Sequence, residues 1–222
     1  ARTVDDVALV AHVLCGDDAD VAPLRPEVPR IGVLRPAYWD AVSAPAAQAF
    51  AAACRVLQEH GATTLAIEAG RETAELADAH ALILQYESAR AFAFEYSRRR
   101  KQLSDLFRTM IAAGRAIRRD DYDRARDRTR TIASRFDGFF SEVDLIVTLA
   151  AESEARPAGD PIGHVRFNRF WTLLGHPCMT VPLHAEGRLP FAMLLVAKNG
   201  GDDLLFKYGR WIHDAIGLGR RP

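Results

Sequence analysis

The sequence has 222 residues, 49 % of them hydrophobic and 26 % charged, which is long enough to bury the core of one good-sized domain or two small ones. Its 29 basic residues balance 29 acidic ones, leaving no net field to recruit nucleic acid or an anionic membrane, and the composition is not that of a disordered chain. No apolar run approaches the ~20 residues of a membrane span and no signal-peptide core opens the chain; Cys15, Cys54 and Cys178 lie apart without a CxxC, so a cytoplasmic protein with neither disulfide scaffold nor zinc site is expected.

In chain order, Thr3 with Asp6 forms a capping-box-like start to a helix on which Val4, Val7, Ala8, Ala11 and Leu14 recur at helical spacing, and Gly16 stops it. Asp17 to Arg30 reads as a loop and Ile31 to Leu34 as a short strand. Ser43 caps a helix that runs through His60, burying Ala46, Phe50, Cys54 and Leu57, with Gly61 as its left-handed stop. Thr63 to Ile67 is strand again, and strand–helix–strand at this spacing predicts a βαβ unit with parallel pairing.

The section from about 74 to 143 is helical throughout, a long insertion in the middle of the chain. Leu76, Ile83 and Tyr86 mark one helix; Leu103, Leu106, Phe107, Met110, Ile111 and Ile117 mark a second. A third carries Tyr122, Ala125, Ile132, Phe136, Phe139 and Val143. Asp144 to Leu149 then becomes strand, and Ala150 to Val165 is the longest irregular stretch, where a site is most readily built. Asn168 to Leu174 reads as a short helix or turn, Met179 to Leu183 and Pro190 to Ala197 as a strand pair, and Asp202 as the cap of a final amphipathic helix. The expected class is α/β, a single domain or partial domain over 1–222, with helices packed around a mixed sheet.

Few side chains converge on chemistry. The run Arg98-Arg99-Arg100-Lys101 reads as a solvated helix surface, and the alternating Arg and Asp residues between Arg118 and Arg130 as surface ion pairs. His164, His176 and Cys178 lack a recognised metal-ligand spacing. No serine is flanked by glycine as a nucleophile elbow requires. Ser153 alone lies on a plausible site loop, where a triad with His164 or His176 and Asp160 can be drawn on paper. The chain by itself shows no convincing catalytic centre.

Both ends of the chain carry a family resemblance. Ala1-Arg2-Thr3-Val4-Asp5-Asp6-Val7-Ala8-Leu9 resembles the segment of amidase-signature hydrolases that leads into a helix, and Arg30-Ile31-Gly32-Val33 resembles the family's next strand. Asp144-Leu145-Ile146-Val147-Thr148 is similar to its D-x-hydrophobic-x-T strand. The segment from Asn168 to Pro182, with Trp171, Gly175, Pro177 and Pro182 in place, resembles the family's N-x-x-W/T-x-x-G-x-P block. Leu189-Pro190 and Gly201-Asp202-Asp203-Leu204-Leu205 continue the match to about Ile216. It departs at Ala150, where the family usually has Thr-Pro-Thr, and at Phe191-Ala192-Met193-Leu194, which replaces a Gly-x-Gln pattern.

The resemblance implies the C-terminal part of the amidase-signature fold, and carboxamide C–N hydrolysis through a seryl-acyl intermediate in the intact protein, with no metal or organic cofactor. It places the catalytic serines and lysine in a segment that precedes Ala1, so no catalytic residue is assigned here and this chain alone is expected to be inactive. Asn168 and Trp171 are the candidate substrate-binding residues, with a helix cap and a core aromatic as their structural alternatives. The expected partners are a small-molecule amide and either an N-terminal catalytic half or a second copy of the chain, not nucleic acid or membrane. The alternative is a non-catalytic accessory or binding subunit derived from an amidase.

Overall fold

The computed structural model describes residues 1, 3–16, 27–155, 166–183 and 189–217. Helix α1 (Val4–Cys15) starts where Thr3 Oγ1 accepts the amide of Asp6 and ends at Gly16, whose φ of 77° is the left-handed conformation that glycine adopts without penalty. Strand β1 (Arg30–Leu34) follows, then α2 (Ala44–Glu59), capped as expected by Ser43 Oγ, and β2 (Thr63–Ile67), which pairs parallel to β1. The βαβ unit read from the sequence is therefore present.

The helical insertion comprises α3 (Gly70–Ala91), α4 (Ala93–Arg98), a single 3₁₀ turn at Arg100–Gln102, α5 (Asp105–Ala116) and α6 (Arg119–Phe139). It begins four residues before its predicted start. The cause is Thr73, whose buried hydroxyl donates to the Gly70 carbonyl and accepts the amide of Ala37, pinning the first turn of α3 to the loop after β1. Strand β3 (Leu145–Leu149), α7 (Arg166–Leu174), β4 (Cys178–Leu183), β5 (Phe191–Val196) and α8 (Asp202–Ala215) complete the chain. Asp202 is the first residue of α8 rather than its cap, since Gly201 holds that position and makes no side-chain cap bond. The predicted loop at 17–26, the turn at 185–187 and the far part of the 150–165 stretch lie outside the described residues.

The five strands are ordered β2-β1-β3-β5-β4, parallel between β1 and its two neighbours and antiparallel from β3 outward. All five residues of β3 are buried. Its alternation splits the core in two. Leu145, Val147 and Leu149 face α1, α2 and α8 with Phe50, Leu57, Met193, Leu195 and Ile212; Ile146 faces α3, α6 and α7 with Leu76, Ile132, Phe136, Phe170 and Trp171. Register is locked at the amino end, where Asp144 accepts from the backbone N–H of Arg30 at 2.7 Å and from its guanidinium at 2.9 and 3.3 Å while donating its own amide to the Arg30 carbonyl. Partial burial pushes the Asp144 carboxyl up, but the Arg30 hydrogen bonds and charge outweigh this and hold it below its ordinary value.

Helix α3 is sheathed along its length by the two helices that follow. Phe92 meets Phe107 edge-on and Gly114 sits against Gln85 and Ala89, so α5 runs antiparallel along the outer half of α3. Tyr122 and Arg126 reach Glu87, Arg128 reaches Glu75 and Arg135 reaches Glu72, which lays α6 antiparallel along α3 from Glu87 down to Glu72. Contact at Gly114 is backbone to backbone: a Cβ there runs into the Gln85 carbonyl oxygen, which cannot retreat without breaking α3. Gly138, also helical, has open space around it. Gly114→Ala is expected to destabilise the fold by about 2 kcal/mol or more through forced separation of the helices, whereas Gly138→Ala raises stability by about 0.5–1 kcal/mol. Urea unfolding of the two variants checks the opposite signs.

Candidate functional site

The connections define one privileged edge of the sheet. From β1 the chain crosses to β2 through α2, on one face; from β2 it returns past β1 to β3 through α3–α6, on the other. The connections that follow β1 and β3 run to opposite faces of the sheet, α2 on one and α7 on the other, so the loops leaving the carboxyl ends of these two strands form the switch point, the position at which open α/β sheets bind ligands. Those loops are 35–43 and 150–155, and they are tied directly together by the Ser43 amide donating to the Glu152 carbonyl at 2.8 Å.

Further contacts make this rim a built structure. The Ala150 amide donates to the Ala192 carbonyl at 2.8 Å, anchoring the loop after β3 to β5. Asn168 Nδ2 donates to the Ala150 carbonyl at 3.1 Å, anchoring it to α7 as well. The Glu154 carboxylate accepts the amide of Leu189 at 3.1 Å, and Glu152 is 9 % exposed. An aromatic patch lies behind, with Tyr38 edge-on to Phe167 at 5.1 Å, Trp39 edge-on to Phe50 at 5.4 Å and the Arg35 guanidinium over Trp39. The rim thus presents carboxylates, backbone carbonyls and aromatic edges on loops held at both ends.

Asn168 and Trp171 share α7 but differ in setting. Asn168 is exposed inside the helix rather than at its cap, with its carboxamide turned to the β3 loop. Trp171 is 1 % exposed, packed edge-on against Phe136 and His176 and tilted against Phe170 in the second core. Its tie to the rim therefore runs through α7. The paper triad is broken by strand register. Cys178 pairs with Val196, which pairs with Ile146, so His176 lies at the amino end of β3, opposite the rim that carries Ser153. Ser153 Oγ donates to the Glu154 carbonyl at 3.1 Å rather than to a base. Asp160 and His164 lie outside the described residues. No local signal marks Glu152, Ser43 or Tyr38 as rim residues, because their placement follows from the directions of the connections between strands.

An α/β chain with a strand switch point whose rim loops are fixed by carboxamide and backbone contacts has the architecture of a large class of open-sheet folds. The particular family is settled by comparison: the amidase family model matches residues 1–206, and the chain belongs to that family. Its fold is shared with a crystallised amidase (TM-score 0.86, 20 % identity, 98 % of this chain and 52 % of that one) and with a bacterial aryl acylamidase of the amidase-signature family (TM-score 0.70, 18 %, 90 % and 47 %). It is also shared with 6-aminohexanoate cyclic dimer hydrolase in complex with substrate (TM-score 0.76, 18 %, 100 % and 55 %). This chain spans about half the length of each of these structures. No curated protein matches it.

At the opposite end of β3, His176 is 6 % exposed between Phe140, stacked at 5.6 Å, and Trp171, with Nε2 3.3 Å from Asp137 Oδ1 but outside hydrogen-bond geometry. Burial lowers its pKa and Asp137 only partly offsets this, so the net direction is down and the folded state holds the imidazole neutral. Such a group contributes stability above its unfolded value of about 6.5 and loses it as pH falls toward its folded value. Stability is expected to drop by up to about 1.4 kcal/mol per pH unit below that point. Melting curves of wild type and His176→Leu from neutral to mildly acid pH check this; the variant lacks that component of the acid loss.

Proposed function

We propose that this chain is the pocket-wall portion of an amide hydrolase. The β1/β3 rim shapes the acyl and leaving-group sites, while the serine nucleophile comes from polypeptide outside this sequence. The observation that carries the reading is the rim itself, two loops bonded together at the switch point of an amidase-family sheet, where Ser153 donates its hydroxyl proton to a neighbouring carbonyl rather than to a base. Two further observations support it. The sequence contains no Gly-Ser-Ser, and the chain spans about half the length of its structural relatives. The side of α1 turned away from α8 also exposes Leu9, Val10, Val13 and Leu14, with Leu14 at 82 %, an apolar strip suited to packing by further polypeptide.

In this reading the substrate is a small carboxamide. The neighbour solved with its substrate is 6-aminohexanoate cyclic dimer hydrolase, and this chain's rim offers such a compound the half-buried rings of Tyr38 and Trp39. Asn168 is a positioning residue, holding the Ala150 carbonyl and with it the loop that carries Glu152. The test has two arms. The 222-residue chain alone is expected to resist a fluorophosphonate probe and to leave an amide panel untouched; turnover that Ser153→Ala abolishes overturns the proposal. In the longest natural polypeptide that carries this sequence, labelling is expected at a serine outside these residues. There Asn168→Ala is expected to raise KM on the order of 3–10-fold through loss of one hydrogen bond, with kcat changed less.

A further inference from the structure

Two clusters of basic residues in the helical insertion differ in how they are paired. Each of the six between Arg118 and Arg130 has a carboxylate: Asp120, Asp123, Asp121, Glu87, Glu75 and Asp127 in turn. The second group, Arg98, Arg99, Arg100 and Lys101, is exposed and pairs with no carboxylate among the described residues. Arg99 and Arg100 lie instead over the rings of Phe94 and Tyr96, at 5.8 and 4.7 Å. From Phe92 to Arg108 the chain carries five cations against two carboxylates, and one of those, Asp105, is already taken by Arg108.

The same turn is apolar at its surface. Leu106 is 83 % exposed, Phe94 60 % and Phe92 41 %. These side chains are gathered at one end of the insertion. The Phe92–Phe107 contact closes the end of α3 on the start of α5, and Arg108 donates to the Leu103 carbonyl at 2.6 Å and the Arg100 carbonyl at 3.3 Å. The result is a stiff turn that presents large apolar groups among uncompensated cations. The balanced charge of the whole chain conceals it, because the compensating acids sit elsewhere.

We propose that this α3–α5 tip is a peripheral docking surface for an anionic lipid bilayer. Phe94 and Leu106 match the acyl–headgroup boundary, while Arg98 to Lys101 reach the phosphates with their apolar stems lying along the interface. A second copy of the chain is disfavoured as occupant because a symmetric contact brings two unpaired basic runs together. Nucleic acid is disfavoured because the most exposed large apolar side chain of the tip, Leu106, offers neither a charge for a phosphate nor a ring for a base. The proposal does not rest on the amidase reading and departs from the expectation that no membrane is a partner.

The test is co-sedimentation of the longest natural polypeptide carrying this sequence with phosphatidylcholine vesicles, with or without phosphatidylserine at about one lipid in three. Binding is expected to the anionic vesicles and to weaken with added salt. Replacing Arg98, Arg99, Arg100 and Lys101 together by glutamine is expected to reduce it at least about tenfold. The double variant Phe94→Ser, Leu106→Ser is expected to reduce it severalfold with its melting temperature unchanged, since both side chains are already in solvent. No binding to anionic vesicles, equal binding to neutral ones, or binding that survives the four glutamines overturns the proposal. So does full binding by the Phe94, Leu106 variant together with capture of an RNA duplex, which makes the tip a phosphate-backbone site.

Discussion

Everything in this structure follows from a central strand that has no wet side. β3 is buried at all five residues and flanked on both edges, so its two faces must each be covered by helices. Those helices come from connections on opposite faces, α2 between β1 and β2 on one and α3–α6 between β2 and β3 on the other, and this reversal puts the switch point at the carboxyl ends of β1 and β3. The Arg30–Asp144 clamp at the other end fixes which residues face which core, since a one-residue slip would send Ile146 and Val147 to the wrong sides. Site and fold are thus set by one constraint at two ends of the same strand.

Where the local chemistry of the sequence is self-contained, it was legible. Thr3, Ser43, Gly16 and Gly61 mark helix ends through bonds and dihedrals within a few residues of themselves, and all four act as their types suggest. The start of α3 was missed because Thr73 sets it by a hydrogen bond to Ala37, thirty-six residues away. Asp202 was misplaced by one residue because an acid is as favourable in the first turn of a helix as at its cap. The stop of the second insertion helix was also hidden: the apolar spacing continues through Ile117, but Arg118 turns extended and starts α6.

The rim was legible only in outline. The irregular stretch after β3 stood out by composition, and Asn168 by resemblance, but that the first accepts a hydrogen bond from the second is a fact of tertiary geometry. Trp171 shows the limit from the other side. A tryptophan inside a family block can line a pocket or fill a core, and the spacing alone is the same for both; here it is one of three rings around Phe136. The resemblance that located the block also supplied the expectation that the reacting serine lies outside this sequence, which a search for side-chain constellations could not have supplied.

Polar satisfaction divides the molecule along β3. At the rim, backbone groups are paired and the carboxylate of Glu154 is engaged by an amide. On the face covered by α3, α6 and α7, the buried side-chain atoms without a hydrogen-bond partner gather among the described residues: His80 Nδ1, Thr148 Oγ1, Trp171 Nε1, Asp137 Oδ1 and both nitrogens of His176. Each such atom costs stability, so that face depends on aromatic packing to hold together. This is also the face from which the helical insertion departs. The insertion's helices are therefore fastened along α3 by rings and by ion pairs from Glu72 out to Glu87, with the close backbone contact at Gly114 among them. Beyond these, the tip is closed by the Phe92–Phe107 rings and by Arg108 bonds to backbone carbonyls and Asp105, an arrangement that makes no use of Arg98 to Lys101 as ion-pair partners among the described residues.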